Sequence, residues 1–258
     1  MKRLPENSFL KAIRNGEKQI GLWISLSNNF VADVVASAGY DWVLVDMEHS
    51  PNEIASVLGQ LQAFDSHQCT AIVRPSWNDP VKVKPLLDIG AKGLLFPMVQ
   101  SAEEADLAVR STCYPPRGIR GVSSIHRGSN FGRIKSYNEQ VENETAVLVQ
   151  IETRHAIEKI DEMLETDGID GIFFGPSDIA ADIGLLGKTG SSELWDLIMP
   201  AAQKAMDKGI PVGTLTLDPN KAIDLFNSGF TFIACGMDVS LLARSADHLL
   251  ETVKKGLV

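Results

Sequence analysis

Residues 42–53 combine a predicted strand with a polar loop, and they read Trp42-Val43-Leu44-Val45-Asp46-Met47-Glu48-His49-Ser50-Pro51-Asn52-Glu53. The apolar run that opens this segment has the length of a buried strand. Ser50 as N-cap, Pro51 at the first helical position and Glu53 in a capping box predict that a helix begins directly after the loop. Acidic and imidazole groups are therefore expected at the carboxyl end of a strand, which is the functional edge of parallel α/β folds.

The same order of strand and helix repeats along the chain. Eight apolar segments are predicted as strands: 19–26, 42–46, 70–74, 93–96, 146–152, 171–174, 211–217 and 231–235. Segments with helical spacing of apolar residues separate them, and no shift in composition marks a linker. The pattern predicts an α/β protein whose residues 1–258 form a single (β/α)8 TIM barrel domain. A doubly wound open sheet is the alternative, but the GxGxxG motif is absent after the first strand.

Residues 114–145 interrupt this regular pattern. They are rich in Pro, Gly, Arg and Ser, and so long an irregular connection is usually functional or disordered. Because the loop joins a helix to the fifth strand, it should begin on the barrel face opposite the polar strand ends. We therefore hypothesise that it reaches the active site of a neighbouring subunit through its arginines, which are Arg117, Arg120, Arg127 and Arg133.

Composition and charge argue against several classes of protein. The chain of 258 residues is 44% hydrophobic and 22% charged, as in ordinary globular proteins. Its net charge of −9 argues against general nucleic-acid binding, which usually requires a basic surplus. No apolar run approaches the roughly 20 residues of a membrane span, and the first residues lack the apolar core of a signal peptide. The 3 cysteines form no CxxC pair, so we expect reduced thiols in a cytoplasmic protein. Without a spanning segment we also expect no membrane partner.

Charged residues at the predicted strand ends suggest metal and oxyanion chemistry. Glu152 and Asp178 end neighbouring strands, so both carboxylates could bind one hard divalent cation such as Mg²⁺ or Mn²⁺. The alternative is that Glu152 caps a helix and Asp178 belongs to an ordinary loop. Arg74 suits a bidentate oxyanion contact or a salt bridge with Asp46 or Asp88, and both roles can coexist. No lysine lies at a predicted strand end, which argues against a Schiff-base mechanism.

Five blocks of sequence resemble the signature motifs of the HpcH/HpaI aldolases, which are metal-dependent class II pyruvate aldolases of the phosphoenolpyruvate/pyruvate barrel superfamily. They are Val45-Asp46-Met47-Glu48-His49-Ser50-Pro51, Val73-Arg74-Pro75, Tyr114-Pro115-Pro116-Arg117-Gly118-Ile119-Arg120-Gly121, Gln150-Ile151-Glu152-Thr153 and Gly175-Pro176-Ser177-Asp178. The resemblance runs in order from about Gly21 to Arg244, nearly the whole chain. It implies reversible aldol cleavage of a 4-hydroxy-2-oxo acid to pyruvate and an aldehyde.

The resemblance also implies how the pyruvyl unit is bound. Glu152 and Asp178 would ligate Mg²⁺, Mn²⁺ or Co²⁺, which would chelate the carboxylate and keto oxygens. Arg74 would contact the keto oxygen, and Gln150 would line the metal and substrate site. The N–H groups of Ser177 and Asp178 would hold the substrate carboxylate. Independently, a Lewis acid and a guanidinium concentrate positive charge where an enolate develops.

The same resemblance implies that His49 transfers protons. This imidazole would be polarised by Asp46 or Asp88 and would act with a water on the metal. An imidazole pKa near neutrality suits transfer of the C4-hydroxyl proton. The resemblance further implies a homohexamer, built as a trimer of dimers.

Several substrates are compatible with these expectations. The first is 4-hydroxy-2-oxoheptanedioate, which would give succinate semialdehyde. Sugar-derived acids, namely 2-keto-3-deoxy-L-rhamnonate and 5-keto-4-deoxyglucarate, are the alternative, and CoA-thioester lyases are a more distant one. A metabolite-binding regulator on a barrel scaffold is the non-enzyme alternative. An intact set of His49, Arg74, Glu152 and Asp178 argues against that last alternative.

Overall fold

The protein is a closed barrel of parallel strands. The computed structural model describes residues 3–257, and within them eight strands pair in sequence order, with β1 closing on β8. The strands are β1 Gln19–Ile24, β2 Trp42–Asp46, β3 Thr70–Arg74, β4 Gly93–Phe96, β5 Ala146–Ile151, β6 Gly171–Phe174, β7 Val212–Leu215 and β8 Phe232–Met237. The predicted (β/α)8 barrel is confirmed. Four strands have the predicted bounds, and the others differ by one or two residues at one or both ends.

Twelve α-helices within residues 3–257 connect or flank these strands. They are α1 Ser8–Arg14, α2 Asn29–Ala36, α3 Ile54–Phe64, α4 Pro80–Asp88, α5 Ala102–Thr112, α6 Tyr137–Gln140, α7 Arg154–Glu158, α8 Ile160–Met163, α9 Pro176–Asp182, α10 Ser192–Asp207, α11 Pro219–Asn227 and α12 Asp238–Gly256. A 3-10 helix, Val141–Glu144, follows α6. Among the described helices, none combines the length and apolar character that crossing a membrane requires.

The helix after β2 begins later than the sequence predicts. α3 starts at Ile54, with Glu53 as its N-cap. Ser50 caps no helix because its hydroxyl donates to the carbonyl oxygen of Asp46, to which Asn52 Nδ2 also donates at 2.7 Å. Residues 47–53 therefore form a loop that is folded back on the end of β2.

Side-chain alternation along the strands produces two apolar layers. The inner layer fills the barrel and includes α1, whose Phe9 packs on Trp42 with ring centroids 5.3 Å apart. The outer layer lies between the strands and the surrounding helices and includes Val43 and Val45. Because Trp42 and Leu44 belong to the inner layer, the side chain two residues further along β2 also faces inward.

The connection of residues 114–145 packs on its own chain. It follows α5 and therefore starts at the amino ends of the strands, as predicted. Three of its arginines form ion pairs within the chain, namely Arg117 with Glu142, Arg120 with Asp88 and Arg127 with Asp65. The Arg120 side chain is fully buried. These pairs hold three of the four arginines on their own chain, and the hypothesis that the loop reaches a neighbouring active site stays a prediction.

Candidate active site

Polar side chains replace the inner apolar layer at the carboxyl ends of the strands. On three strands, inner-layer residues are followed two positions later by inward-facing polar residues, which are Asp46, Arg74 and Gln150. β2 and β3 pair with Asp46 directly beside Arg74. These residues line a cavity of about 680 Å³ together with His49, Ser177 and Asp178. The structure thus brings most of the predicted site residues to one mouth of the barrel.

Arg74 is held rigidly at the base of this cavity. Its Nε and Nη2 donate to the two carboxylate oxygens of Asp46 at 2.8 Å each, and Nη1 lies 2.8 Å from Glu48 Oε2. Trp23 supports the pair, because its ring lies 4.7 Å below the guanidinium carbon and its Nε1 donates to Asp46 at 3.2 Å. A guanidinium fixed in this way is a preorganised donor for an oxyanion.

The two carboxylates around Arg74 differ electrostatically. Burial alone would raise the pKa of Asp46, but hydrogen bonds and the positive charge of Arg74 lower it below its ordinary value. Burial raises the pKa of Glu48, and the nearby carboxylates of Asp46 and Asp178 raise it further. The charges of Arg74 and His49 act in the opposite direction but do not cancel this rise. Asp46 is therefore the firm counter-ion of the guanidinium. Its role is to orient Arg74.

Glu152 is a buried carboxylate beside this cluster. Met98 N–H donates to its Oε2 at 2.7 Å, and Gln150 Nε2 donates to its Oε1 at 2.7 Å. Burial raises the pKa of Glu152 to about 8, with the Met98 N–H opposing the rise and the carboxylates of Asp178 and Glu48 adding to it. The protein therefore disfavours the ionised form of Glu152, and a bound cation would favour it.

Local backbone geometry allows this close arrangement. Met98 adopts a left-handed conformation with φ of 52°, which is uncommon for a residue other than glycine and which directs its N–H at Glu152. A Cβ on Gly175 would lie 2.9 Å from Glu152 Cγ and 3.0 Å from Glu152 Oε1. Glycine is therefore required at this position for the carboxylate to occupy its place.

The donor set fits a hard cation bound by few protein ligands. Gln150 Oε1 is buried and accepts no hydrogen bond from residues 3–257. Asp178, in the first turn of α9, is exposed to the cavity. Within the described chain no group of three or more His, Cys, Asp and Glu side chains is arranged for a metal ion. Two carboxylates and an amide oxygen match the way Mg²⁺ is usually held, with waters and substrate oxygens completing its shell.

Within one chain the carboxylate beside His49 is neither of the two that the sequence predicts. This side chain is 67% exposed, and its Nε2 lies 4.0 Å from Glu48 Oε2. Asp46 is occupied by Arg74, so it does not polarise the imidazole. Asp88 ends α4, which runs back from β3, so it lies at the opposite end of the barrel, where Arg120 Nη2 donates to it at 2.9 Å. Within one chain neither carboxylate reaches His49.

A second cavity, of about 900 Å³, lies at the amino ends of the strands. Its lining includes Tyr40, Asp41, Cys69 and Thr70. No buried ion pair among residues 3–257 faces this space in the way that Asp46 and Arg74 face the other cavity. We therefore assign the candidate active site to the smaller cavity, which the buried ion pair of Asp46 and Arg74 lines.

Sequence reasoning assigns no role to three contributors to the site, although it places Glu48 and Met98 at the predicted strand ends. Trp23, on β1, supports both Asp46 and Arg74, and Glu48 is the second counter-ion of Arg74. Met98 contributes through its backbone. An inward tryptophan near the end of β1 is a usable signal, because strand alternation places it in the barrel mouth. The backbone conformation of Met98 has no comparable signal in the sequence.

Comparisons with known proteins agree with this architecture. The family model described as HpcH/HpaI aldolase/citrate lyase matches residues 19–245. A 4-hydroxy-2-oxo-heptane-1,7-dioate aldolase from Klebsiella pneumoniae is 46% identical over 244 residues, which cover 94% of this chain and 92% of the relative. The crystal structure of a family protein from Burkholderia cenocepacia is 33% identical, with a TM-score of 0.93 and coverage of 96% of this chain and 99% of that one. An HpcH/HpaI aldolase from Desulfitobacterium hafniense is 29% identical, with a TM-score of 0.88 and 95% coverage of both chains.

The family match extends over the whole barrel and includes all five sequence blocks quoted above. The chain belongs to the HpcH/HpaI aldolase/citrate lyase family and is a carbon–carbon lyase.

Proposed function

We propose that the protein catalyses the divalent-metal-dependent, reversible aldol cleavage of 4-hydroxy-2-oxoheptanedioate to pyruvate and succinate semialdehyde. The observation that carries the proposal is the rigid Arg74 guanidinium, held by Asp46 and Glu48 beside the buried Glu152 carboxylate. The substrate follows from the name of the Klebsiella relative. Cleavage breaks the C3–C4 bond, and the electron pair passes to the pyruvyl unit as an enolate.

Arg74 is the group that meets the developing enolate charge. Its donors are fixed before substrate arrives, because Asp46 binds Nε and Nη2 and Glu48 lies against Nη1. A preorganised cation in a buried site stabilises the enolate oxygen without the free-energy cost of reorienting donors during the reaction. Gln150 lines the same cavity.

Glu152, Asp178 and the free Gln150 Oε1 are proposed to hold the divalent cation. When bound, the cation acts as a Lewis acid toward the carboxylate and keto oxygens of the pyruvyl unit. Mg²⁺, Mn²⁺ and Co²⁺ are the candidates. The backbone N–H groups of Ser177 and Asp178, in the first turn of α9, are proposed to bind the substrate carboxylate.

His49 is proposed to take the C4-hydroxyl proton during cleavage. Its exposed ring lines the cavity and can approach a bound substrate. Glu48, at 4.0 Å from Nε2, is the carboxylate that replaces Asp46 and Asp88 as its partner. Protonation of the enolate at C3 then completes the formation of pyruvate.

The cleavage assay tests the substrate directly. Pyruvate release, followed with lactate dehydrogenase and NADH, should give the highest kcat/KM with 4-hydroxy-2-oxoheptanedioate. The competing substrates are 2-keto-3-deoxy-L-rhamnonate and 5-keto-4-deoxyglucarate. A higher kcat/KM with either sugar acid would reassign the substrate, and binding of all three without cleavage would favour the metabolite-binding regulator.

Association into a homo-oligomer is also proposed, and it rests on α12. Of the 19 residues of α12, only Asp238 is buried within the described chain. Leu242, Leu249 and Val253 recur at helical spacing on one face and are 62%, 66% and 52% exposed. A helix of this kind gains most of its stability from packing, so we assign this face to a second copy of the chain. A trimer of dimers is the expected assembly.

Acidic substitution of this face should dissociate the assembly. The double variant Leu249→Glu, Val253→Glu places two charges where apolar contact is expected, so its mass by light scattering after gel filtration should fall below that of the wild type. Leu186→Glu is the matched control, because Leu186 is 78% exposed and lies outside α12. A wild-type protein that is already monomeric would contradict the assignment.

We also propose a cytoplasmic location with reduced thiols. Cys69, Cys113 and Cys235 are all free. Burial raises the pKa of Cys69 to about 12 and also raises the pKa of the other two thiols. Such thiols react slowly and are typical of structural cysteines.

A further inference from the structure

The cavity continues well beyond the groups that bind the pyruvyl unit. Its far wall contains Trp195 from α10, Lys221 from α11 and Arg244 from α12. Arg74 ends β3, whereas Lys221 follows β7, and these strands are four apart in either direction around the closed barrel. The two cations therefore stand on opposite sides of the barrel mouth. The chemistry proposed above gives Lys221 and Arg244 no role.

Lys221 is positioned by an aromatic ring. Its Nζ lies 4.0 Å from the centroid of the Trp195 ring, a distance at which the cation is attracted by the ring face. The ring is itself fixed, because Trp195 Nε1 donates to the carbonyl oxygen of Thr189 at 2.9 Å. Lys221 is half-buried. The ammonium group is thus held in a defined place at the cavity wall.

The stability of the fold does not account for these two cations. Neither Lys221 nor Arg244 has a carboxylate within 4.0 Å among residues 3–257, whereas many other cations of the chain are paired. Lys221 also lies in the first turn of α11, where a positive charge opposes the helix dipole. Binding of an anionic ligand would account for a positive charge that occupies this unfavourable position without a counter-ion.

The carboxylates that share the cavity are otherwise engaged. Asp46 is bound by Arg74, and Asp178 belongs to the proposed cation site. Asp218 is the N-cap of α11 and accepts from Asn220 N at 2.9 Å. The positive charges of Lys221 and Arg244 therefore remain free to bind a substrate at its end remote from Arg74.

We infer that Lys221, together with Arg244, forms a subsite for the distal carboxylate of the substrate and selects acids that carry a second carboxylate. This inference rests on the function proposed above, because the distal carboxylate is the one retained on the aldehyde product. Trp195 is a positioning residue that holds the Lys221 ammonium. Arg74 meets the enolate oxygen at one side of the barrel mouth, and Lys221 meets the distal carboxylate at the other.

Acceptor preference in the aldol direction tests the subsite. Pyruvate is combined with succinate semialdehyde or with butanal, which has the same chain length but no carboxylate. Lys221→Met should lower the ratio of kcat/KM for succinate semialdehyde to that for butanal by about 10-fold or more, as expected for loss of a charge-assisted hydrogen bond. Lys221→Arg should retain most of the preference, and Arg244→Met should lower it independently. Lys18→Met, on the opposite face of the barrel, is the control and should keep the wild-type ratio.

The outcomes separate the subsite from the function on which it rests. Exchange of the pyruvate methyl protons by the wild-type protein reports enolate chemistry without any aldehyde. If the wild type exchanges these protons but Lys221→Met and Arg244→Met keep the wild-type acceptor ratio, the subsite is wrong and the function stands. An equal loss with both aldehydes would likewise overturn the subsite. A wild-type protein without exchange would overturn the proposed function, and the subsite with it.

Discussion

Replacement of Arg74 by alanine should lower kcat/KM for aldol cleavage by about 10³-fold or more. Loss of one oxyanion donor costs about 10²–10³-fold in well-studied sites, and Arg74 contributes a full charge as well as donors. The guanidinium is 5% exposed and touches Asp46 and Glu48 at 2.8 Å. Its removal therefore leaves the buried Asp46 and the partly buried Glu48 without their counter-ion. The cleavage assay with lactate dehydrogenase measures the loss.

Stability must be separated from catalysis in this experiment. Breaking a buried ion pair by removing one partner costs about 3–5 kcal/mol of the free energy of unfolding, so Arg74→Ala should also unfold at lower denaturant concentration. Arg74→Lys is the matched control, because it keeps the positive charge but cannot bind both oxygens of Asp46. We expect it to remain folded and still to lose most of its activity. Full activity in a folded Arg74→Lys protein would contradict the role of the bidentate geometry.

Removal of divalent cations should abolish cleavage, and this is the second large effect. Dialysis against EDTA followed by Mg²⁺, Mn²⁺ or Co²⁺ should restore activity in the wild type but not in Glu152→Gln. The reason is electrostatic, because burial raises the pKa of Glu152 to about 8 and the Asp178 and Glu48 carboxylates add to the effect. A cation at this point would stabilise the ionised carboxylate, which burial disfavours in its absence.

Thermal unfolding provides a readout that does not depend on activity. A ligand at 100 times its Kd stabilises the folded state by about 2.7 kcal/mol, so saturating cation should raise the Tm of the wild type measurably. Glu152→Gln should lose most of this shift, whereas the exposed Glu158→Gln should retain it. An EDTA-treated wild type with full activity, or a cation-induced shift that survives in Glu152→Gln, would count against the assignment of the metal site.

The strand framework was predictable because its signals are local. β2 and β3 are apolar runs that stop at a charged residue, and their predicted and observed bounds coincide. The contact between Asp46 and Arg74 follows from neighbouring parallel strands in register. The electrostatic influence of Asp178 on Glu152 likewise follows from the adjacency of β5 and β6.

Errors arose where tertiary contacts override local patterns. Ser50 has the sequence context of an N-cap, but the carbonyl of Asp46 takes its hydroxyl, so α3 starts at Ile54. The pairing of Asp88 with His49 stays a prediction, because within one chain α4 carries Asp88 to the opposite end of the barrel. The contact of Lys221 with Trp195 was not predicted. The Trp195 ring is held by the carbonyl oxygen of Thr189, in an irregular segment whose conformation no periodic pattern predicts.

Exchange of the pyruvate methyl protons for deuterium, followed by NMR, tests the central claim most directly. It requires no aldehyde and therefore isolates formation of the enolate at Arg74. We predict rapid exchange with wild-type protein and Mg²⁺ or Mn²⁺, and none after EDTA or with Arg74→Ala. Absence of exchange in the wild type with cation present and pyruvate bound, or exchange at an equal rate in Arg74→Ala, would contradict the account.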